Sequence, residues 1–289
     1  MTDWALMFSS SLIQNMFICT AICCILAAVI GTFVVVKRIV FVTGGIAHTT
    51  FGGVGLAFYL QSNFLMMWFE PMLGAAIFAI SAAVIMASPK VSKMLREDSV
   101  IGVLWSVGMA LGVIFMHYVD TSVITPSGYD TVLFGSMVFL TKLDVYLMAA
   151  VAPIILMIVA LLFRDLQLTT FDETQAKLSG INVTAMNVIL YIMVAVTCVL
   201  MASLIGIIMI IALITIPPAI ANMFSNDLKE MMISSAVISL CLTVLALLMS
   251  IATDIPPGAT VAVVLGIAFI IAIAARSVSG KLVVRKNSV

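Results

Sequence analysis

Residues 41–60, FVTGGIAHTTFGGVGLAFYL, contain five glycines and, apart from His48, no acid or base. On a helical period Gly44, His48, Gly52 and Gly55 fall on one face. Glycine costs about 1 kcal/mol relative to alanine inside an exposed helix, so in water this stretch would be a poor helix. In a membrane interior it is a reasonable one, because small residues let neighbouring backbones approach closely. A smooth glycine face with one imidazole has two readings. It packs against another helix beside a hydrogen-bonded histidine, or it lines a path. The expectation carried forward is that Gly44, Gly52 and Gly55 are pore-lining and that His48 meets what passes.

Composition supports the membrane setting. The chain has 289 residues, 64% hydrophobic and 9% charged. A soluble domain carries roughly 25% charged residues, so this is an integral membrane protein. The apolar runs are long and lack strand-period alternation, so the spans are helical and barrel strands are excluded. Cys19, Cys23, Cys24, Cys198 and Cys241 all lie in apolar runs, where thiols stay protonated and pack. A Cys19–Cys23 metal pair is the less favoured reading. No base precedes Lys37, so a basic signal-peptide region is not expected.

Charge-free runs mark the spans: 4–36, 39–69, 71–89, 99–119 (broken by His117), 145–163, 178–226, 231–253 and 255–275. The run 178–226 has 49 residues, about 73 Å as one helix, more than twice a hydrocarbon core. It must fold back, and the turn is expected at 203–206. Nine apolar segments result, and the expected architecture is all-α: a single transmembrane domain over 1–289, a bundle of eight to nine spans. Residues 130–140 are too short to cross and suit a half-length helix. With the N-terminus outside, 12 of the 13 bases face inward, Lys142 excepted. The outer face then holds Asp3, Glu70, Asp120, Asp130, Asp144 and Asp254, an acidic mouth that favours cations.

Three further segments carry chemistry. The inner loop 164–182, RDLQLTTFDETQAKLSGIN, predicts a short helix capped by Thr169 or Thr170, with Asp172 and Glu173 near its N-terminal end and Gly180 as its stop. The run 204–222, LIGIIMIIALITIPPAIAN, predicts a late helix broken near Ile216 by Pro217 and Pro218. The stretch 253–260, TDIPPGAT, sets Asp254 at the outer end of a span, a candidate gate.

GGIAHTTFGGVGLAF, FDETQAKLSGIN, LIGIIMIIALITIPPAIAN and DIPPGAT, in this order, resemble the membrane permease of ATP-binding-cassette importers for manganese, zinc and iron. The resemblance runs from about Ile13 to Arg276. It implies that His48 helps form a cation site in the pore. Asp172, Glu173, Ala176 and Gly180 match the cytoplasmic coupling helix that docks on an ATPase. Pro217 and Pro218 match the late broken span, and Asp254 the acid at the outer end of the pore. The implied partners are a second copy of the chain, a cytoplasmic ATPase dimer carrying the ATP, and an extracytoplasmic metal-binding protein. The implied location is the bacterial plasma membrane. No cofactor beyond the transported metal and no nucleic acid is implied.

One position departs from the family. An aspartate usually stands four residues before the histidine, and here that residue is Gly44. Imidazole without carboxylate is a weaker trap for a hard cation such as Mn²⁺ and less biased against softer ions. The missing charge is supplied by another residue, by the second copy of the chain, or not at all. The chain has no GxxxxGK[ST] loop, so ATP hydrolysis is expected on a partner and not here. The alternatives are a proton-coupled secondary carrier, whose signature would be intramembrane acids paired with histidine, and a non-transporting scaffold.

Overall fold

A computed structural model describes residues 11–123, 142–253 and 255–286. The described residues form helices joined by short links: α1 (Ser11–Val36), α2 (Val40–Phe64), α3 (Pro71–Ala87), α4 (Pro89–Met94), α5 (Glu97–His117), α6 (Lys142–Leu161), α7 (Phe163–Phe171), α8 (Glu173–Leu178), α9 (Val183–Ile205), α10 (Ile207–Phe224), α11 (Leu228–Thr253) and α12 (Pro257–Lys286). In hydrocarbon every backbone N–H and C=O needs an internal partner, and a helix supplies it within one segment.

Six helices are long and apolar enough to cross a membrane, and seven if the α6–α7 pair, bent by 69°, counts as one span. Two more apolar helices, Pro71–Ala87 and Met209–Phe224, are shorter. Residues 130–140 and Asp254 lie outside the described residues.

The bundle is built around α2. Its span is 83% buried, against 28% for α5 and 17% for α12. The glycines explain how. Gly53 and Gly74 of α3 meet backbone to backbone, with each other's carbonyl where a Cβ would stand. On the other side a Cβ at Gly52 would lie 2.8 Å from the Gly108 carbonyl oxygen, and one at Gly55 2.6 Å from that of Gly112. Glycine is therefore required on both sides of the α2–α5 seam. Thr49 fixes its register, its hydroxyl donating to Gly45 O at 2.6 Å and to Leu104 O of α5 at 3.1 Å. Gly44, Gly52 and Gly55 thus face α5 within the single chain, where the face is a packing seam.

The long apolar run turns at Gly206, whose φ of 75° only glycine adopts cheaply. The turn falls inside the expected 203–206. Both ends of the α9–α10 pair lie at the basic end of the bundle. Near the start of α9, Asn187 donates to Glu173, which pairs with Lys37. Just past α10, Lys229 sits over the Phe163 ring, which packs edge-on against Phe33 of α1. The pair is a hairpin.

The expected break near Ile216 does not occur. α10 continues through Pro217 and Pro218 to Phe224. Two prolines forgo the hydrogen bonds to Leu213 O and Ile214 O. The Ile214 carbonyl and the Pro218 ring pack instead on the bare Cα of Gly31 in α1. The run breaks ten residues earlier, where backbone sign, rather than a missing donor, ends the helix.

Gly53→Ala should destabilise the protein by about 1–3 kcal/mol through overpacking. Gly102→Ala on α5, with nothing within 4 Å, should be neutral or gain up to about 1 kcal/mol of helix propensity. Thermal unfolding in detergent separates the two, and equal midpoints would contradict the seam.

Candidate functional site

His48 sits on the seam, 7% exposed. Its ring stacks on Trp105 of α5, centroids 4.1 Å apart and planes 18° from parallel. Its Nδ1 is buried and has no hydrogen-bond partner. The Trp105 indole also fills the space beside Gly44: a Cβ there would meet Cζ3 at 2.8 Å and Cη2 at 3.4 Å, with Ile211 Cδ1 of α10 at 3.5 Å. Three helices, α2, α5 and α10, therefore meet around Gly44 and His48. Among the described residues no group of three His, Cys, Asp or Glu side chains converges to hold a metal. The arrangement offers one imidazole beside an aromatic face.

Cys19, Cys23, Cys24 and Cys198 are buried and Cys241 is exposed, and none of them is in a disulfide. At the far end of α5, His117 lies edge-on to Tyr118. Asp120 takes its hydrogen bonds from the Ser122 hydroxyl and amide, which hold its carboxyl below the usual range. Pro217 and Pro218 are buried, and the Pro218 ring packs on Gly31 of α1.

The basic end carries a second constellation. The cap of α8 is Asp172, whose carboxylate accepts from the Thr174 and Gln175 amides at 2.8 and 3.0 Å. Thr169 and Thr170, expected as caps, belong to α7, and Thr170 bonds back to Leu166 O. The extended backbone of Asp172, φ −150°, separates two short helices where one was expected. α8 closes on Gly180, φ 82°, with Gly180 N donating to Lys177 O and Ile181 N to Ala176 O. This paired closure satisfies the last carbonyls. Ala176 is fully buried, whereas Phe171 and Leu178 are 62% and 85% exposed.

Glu173 ties α8 to the bundle. It accepts from Lys37 Nζ at 2.8 Å and from Asn187 Nδ2 at 3.1 Å. Lys37 also donates to Thr169 O. Burial pushes the Glu173 carboxyl up, but the bonds from Lys37 and Asn187 and the charges of Lys37 and Lys177 outweigh it and hold it below its usual value. Asp172, Glu173, Ala176 and Gly180 are thus gathered in one rigid element. Trp105, Lys37 and Asn187 carry no spacing signal in the sequence; each is joined to its partner only by the fold.

A family model described as the ABC 3 transport family matches residues 9–276. The chain belongs to this family. ABC 3 relatives span nearly its whole length. A membrane protein of Synechocystis is 30% identical over 263 residues, 91% of this chain and 90% of that one. The manganese import system permease protein ScaB of Streptococcus parasanguinis is 27% identical over 259 residues, 90% and 89% of the two chains. Among solved structures, PsaBC from Streptococcus pneumoniae in complex with Fab superposes with a TM-score of 0.79 at 25% identity, covering 91% of each chain. This ABC 3 chain is a multi-pass membrane protein.

A depressed carboxyl contributes stability that is complete above the unfolded value, about 4.3 for glutamate, and is lost as pH falls through the lower folded value. With Glu173 45% exposed, its ion pair is worth at most about 1 kcal/mol. Glu173→Gln should therefore speed amide exchange in residues 173–181 at pH 7 and leave the spans unchanged. The difference from the parent should vanish in strong acid. Equal exchange at pH 7 would refute the tether.

Proposed function

We propose that this chain is the permease subunit of an ABC importer for divalent metal cations, manganese, zinc or iron, driven by a separate ATPase. The observation that carries the reading is the buried, unpartnered Nδ1 of His48. An unmet buried polar atom costs on the order of 1–3 kcal/mol. The other buried side-chain atoms without a partner among the described residues belong to Thr, Ser and Asn, so His48 alone among them offers a metal-ligating imidazole. A cation moving past α2 would find its one imidazole there. Family membership supports the transport class. The name borne by the streptococcal relative supports a metal cargo.

The basic end suits the drive. α8 is capped at both ends, clamped by Lys37 and Asn187, and presents exposed Phe171 and Leu178 beside charged groups. Apolar anchors with a polar rim are the makings of a docking surface. In the proposed cycle a pair of cytoplasmic ATPases grips α8 of two permease copies. Closure of the ATPases on ATP moves α8 and, through the Lys37–Glu173 contact, the α1–α2 link. The bundle then opens toward an extracytoplasmic binding protein, the ion enters past the acidic mouth, where Asp254 would act as a gate, and it passes His48 on its way inward. Eight to nine spans follow if the two shorter apolar helices also cross.

Vesicles reconstituted with the ATPase and the binding protein test the reading. Metal uptake should require ATP, and His48→Ala should reduce it to background with the protein still folded. Asp172→Ala with Glu173→Ala should lower transport-linked ATP hydrolysis while leaving metal affinity intact. Uptake by the chain alone, indifferent to the ATPase, would favour a secondary carrier and overturn the proposal.

A further inference from the structure

The feature that the proposed function leaves unexplained is Trp105. Its indole performs two tasks at once. One face stacks on the imidazole of His48 at 4.1 Å, and the ring edge occupies the notch beside Gly44. A side chain at 44 would begin 2.8 Å from Cζ3, closer than real Cβ atoms approach other atoms. Any residue larger than glycine there must displace the indole. The α5 backbone that carries the indole is held in register on both sides: Ile101 packs on Gly45, Thr49 bonds Leu104 O, and Gly108 packs on Thr49. The half-buried indole can therefore yield only by turning about its own side-chain bonds, away from His48. Ile211 closes the notch from α10. The notch lies one helical turn from His48, so a carboxylate rooted there would share a face with the imidazole. With the indole stacked on His48, no side chain rooted at 44 fits beside the imidazole.

We infer that Trp105 is a specificity-determining residue: by filling the Gly44 notch and bracing the His48 ring, it leaves the α2 side of the site with an imidazole and no carboxylate, which favours imidazole-preferring ions of the zinc class over manganese. The inference rests on the reading of His48 as the residue that meets the cargo. The chemistry is that of ligand type. Imidazole suits zinc and ferrous iron, whereas carboxylate oxygens suit manganese. Trp105 itself is a positioning residue. It holds the ring as a hydrogen-bonded partner would, through stacking.

The test uses the full transporter in vesicles, with initial uptake of zinc and manganese measured in competition, and zinc affinity of the detergent-solubilised complex measured with the metal alone. Trp105→Ala should weaken zinc affinity by about 10–100-fold, the usual cost of losing the group that orients a metal-binding histidine, and Trp105→Phe should largely restore it. Gly44→Asp combined with Trp105→Ala should shift the uptake ratio toward manganese by about tenfold or more relative to Trp105→Ala, because ligand charge and type set such selectivity. Gly44→Asp alone should shift it much less. The inference is overturned if Gly44→Asp alone equals the double variant, since the indole then excludes nothing. It is overturned equally if Trp105→Ala keeps full zinc affinity. His48→Ala separates the two layers. Uptake that survives it removes the reading of the site and this inference together. Uptake lost in His48→Ala with an unchanged ratio in the double variant removes this inference alone.

Discussion

Backbone meets backbone where α2 crosses α3 and α5, and everything else in the molecule is arranged around that contact. Lipid tails are as apolar as leucine, so in a membrane helices gain little by hiding side chains from one another. What holds them is close packing and the occasional shared hydrogen bond. Gly53 against Gly74, Gly52 against Gly108 and Gly55 against Gly112 provide the first. Thr49, divided between Gly45 and Leu104, provides the second. The consequence is a central helix that is almost wholly enclosed, with a single imidazole fixed on its surface.

That enclosure also sets the electrostatics of the site. His48 faces an indole, and no acid or thiol cluster stands nearby among the described residues. Under the proposed function, a site of this kind would hold its ligand loosely, which suits passage better than storage. The charged machinery is elsewhere, at the basic end, where Lys37 joins the α1–α2 link to the short helix α8. The candidate site and the proposed docking surface are thus connected: Lys37 begins the link that leads directly into α2 and His48. From α8 to the imidazole the connection is one ion pair followed by a short stretch of chain.

Much of this was legible in the residues. Scarcity of charge dictated a helical membrane bundle. An apolar run too long for one crossing required a turn at 203–206, and Gly206 supplies it. Gly180 ended its helix as its type suggests. Other features depended on partners that one strand of sequence does not name. The glycine face of α2 reads equally as lining or as seam, and only the position of α5 decides which it is in the single chain. Trp105 is one aromatic in an apolar helix until the fold sets it on His48. Pro217 and Pro218 look like a break, but Gly31 of a distant helix accepts the carbonyl and ring that they displace. Asp172 outcompeted the threonines as a cap because the chain turns extended at that residue and not before it.

The central claim is that the buried imidazole of α2 touches the cargo. X-ray absorption of the metal-loaded permease–ATPase complex addresses it directly. The account predicts an imidazole scattering shell around the bound ion that disappears in His48→Ala. Spectra that are the same with and without His48 would contradict it.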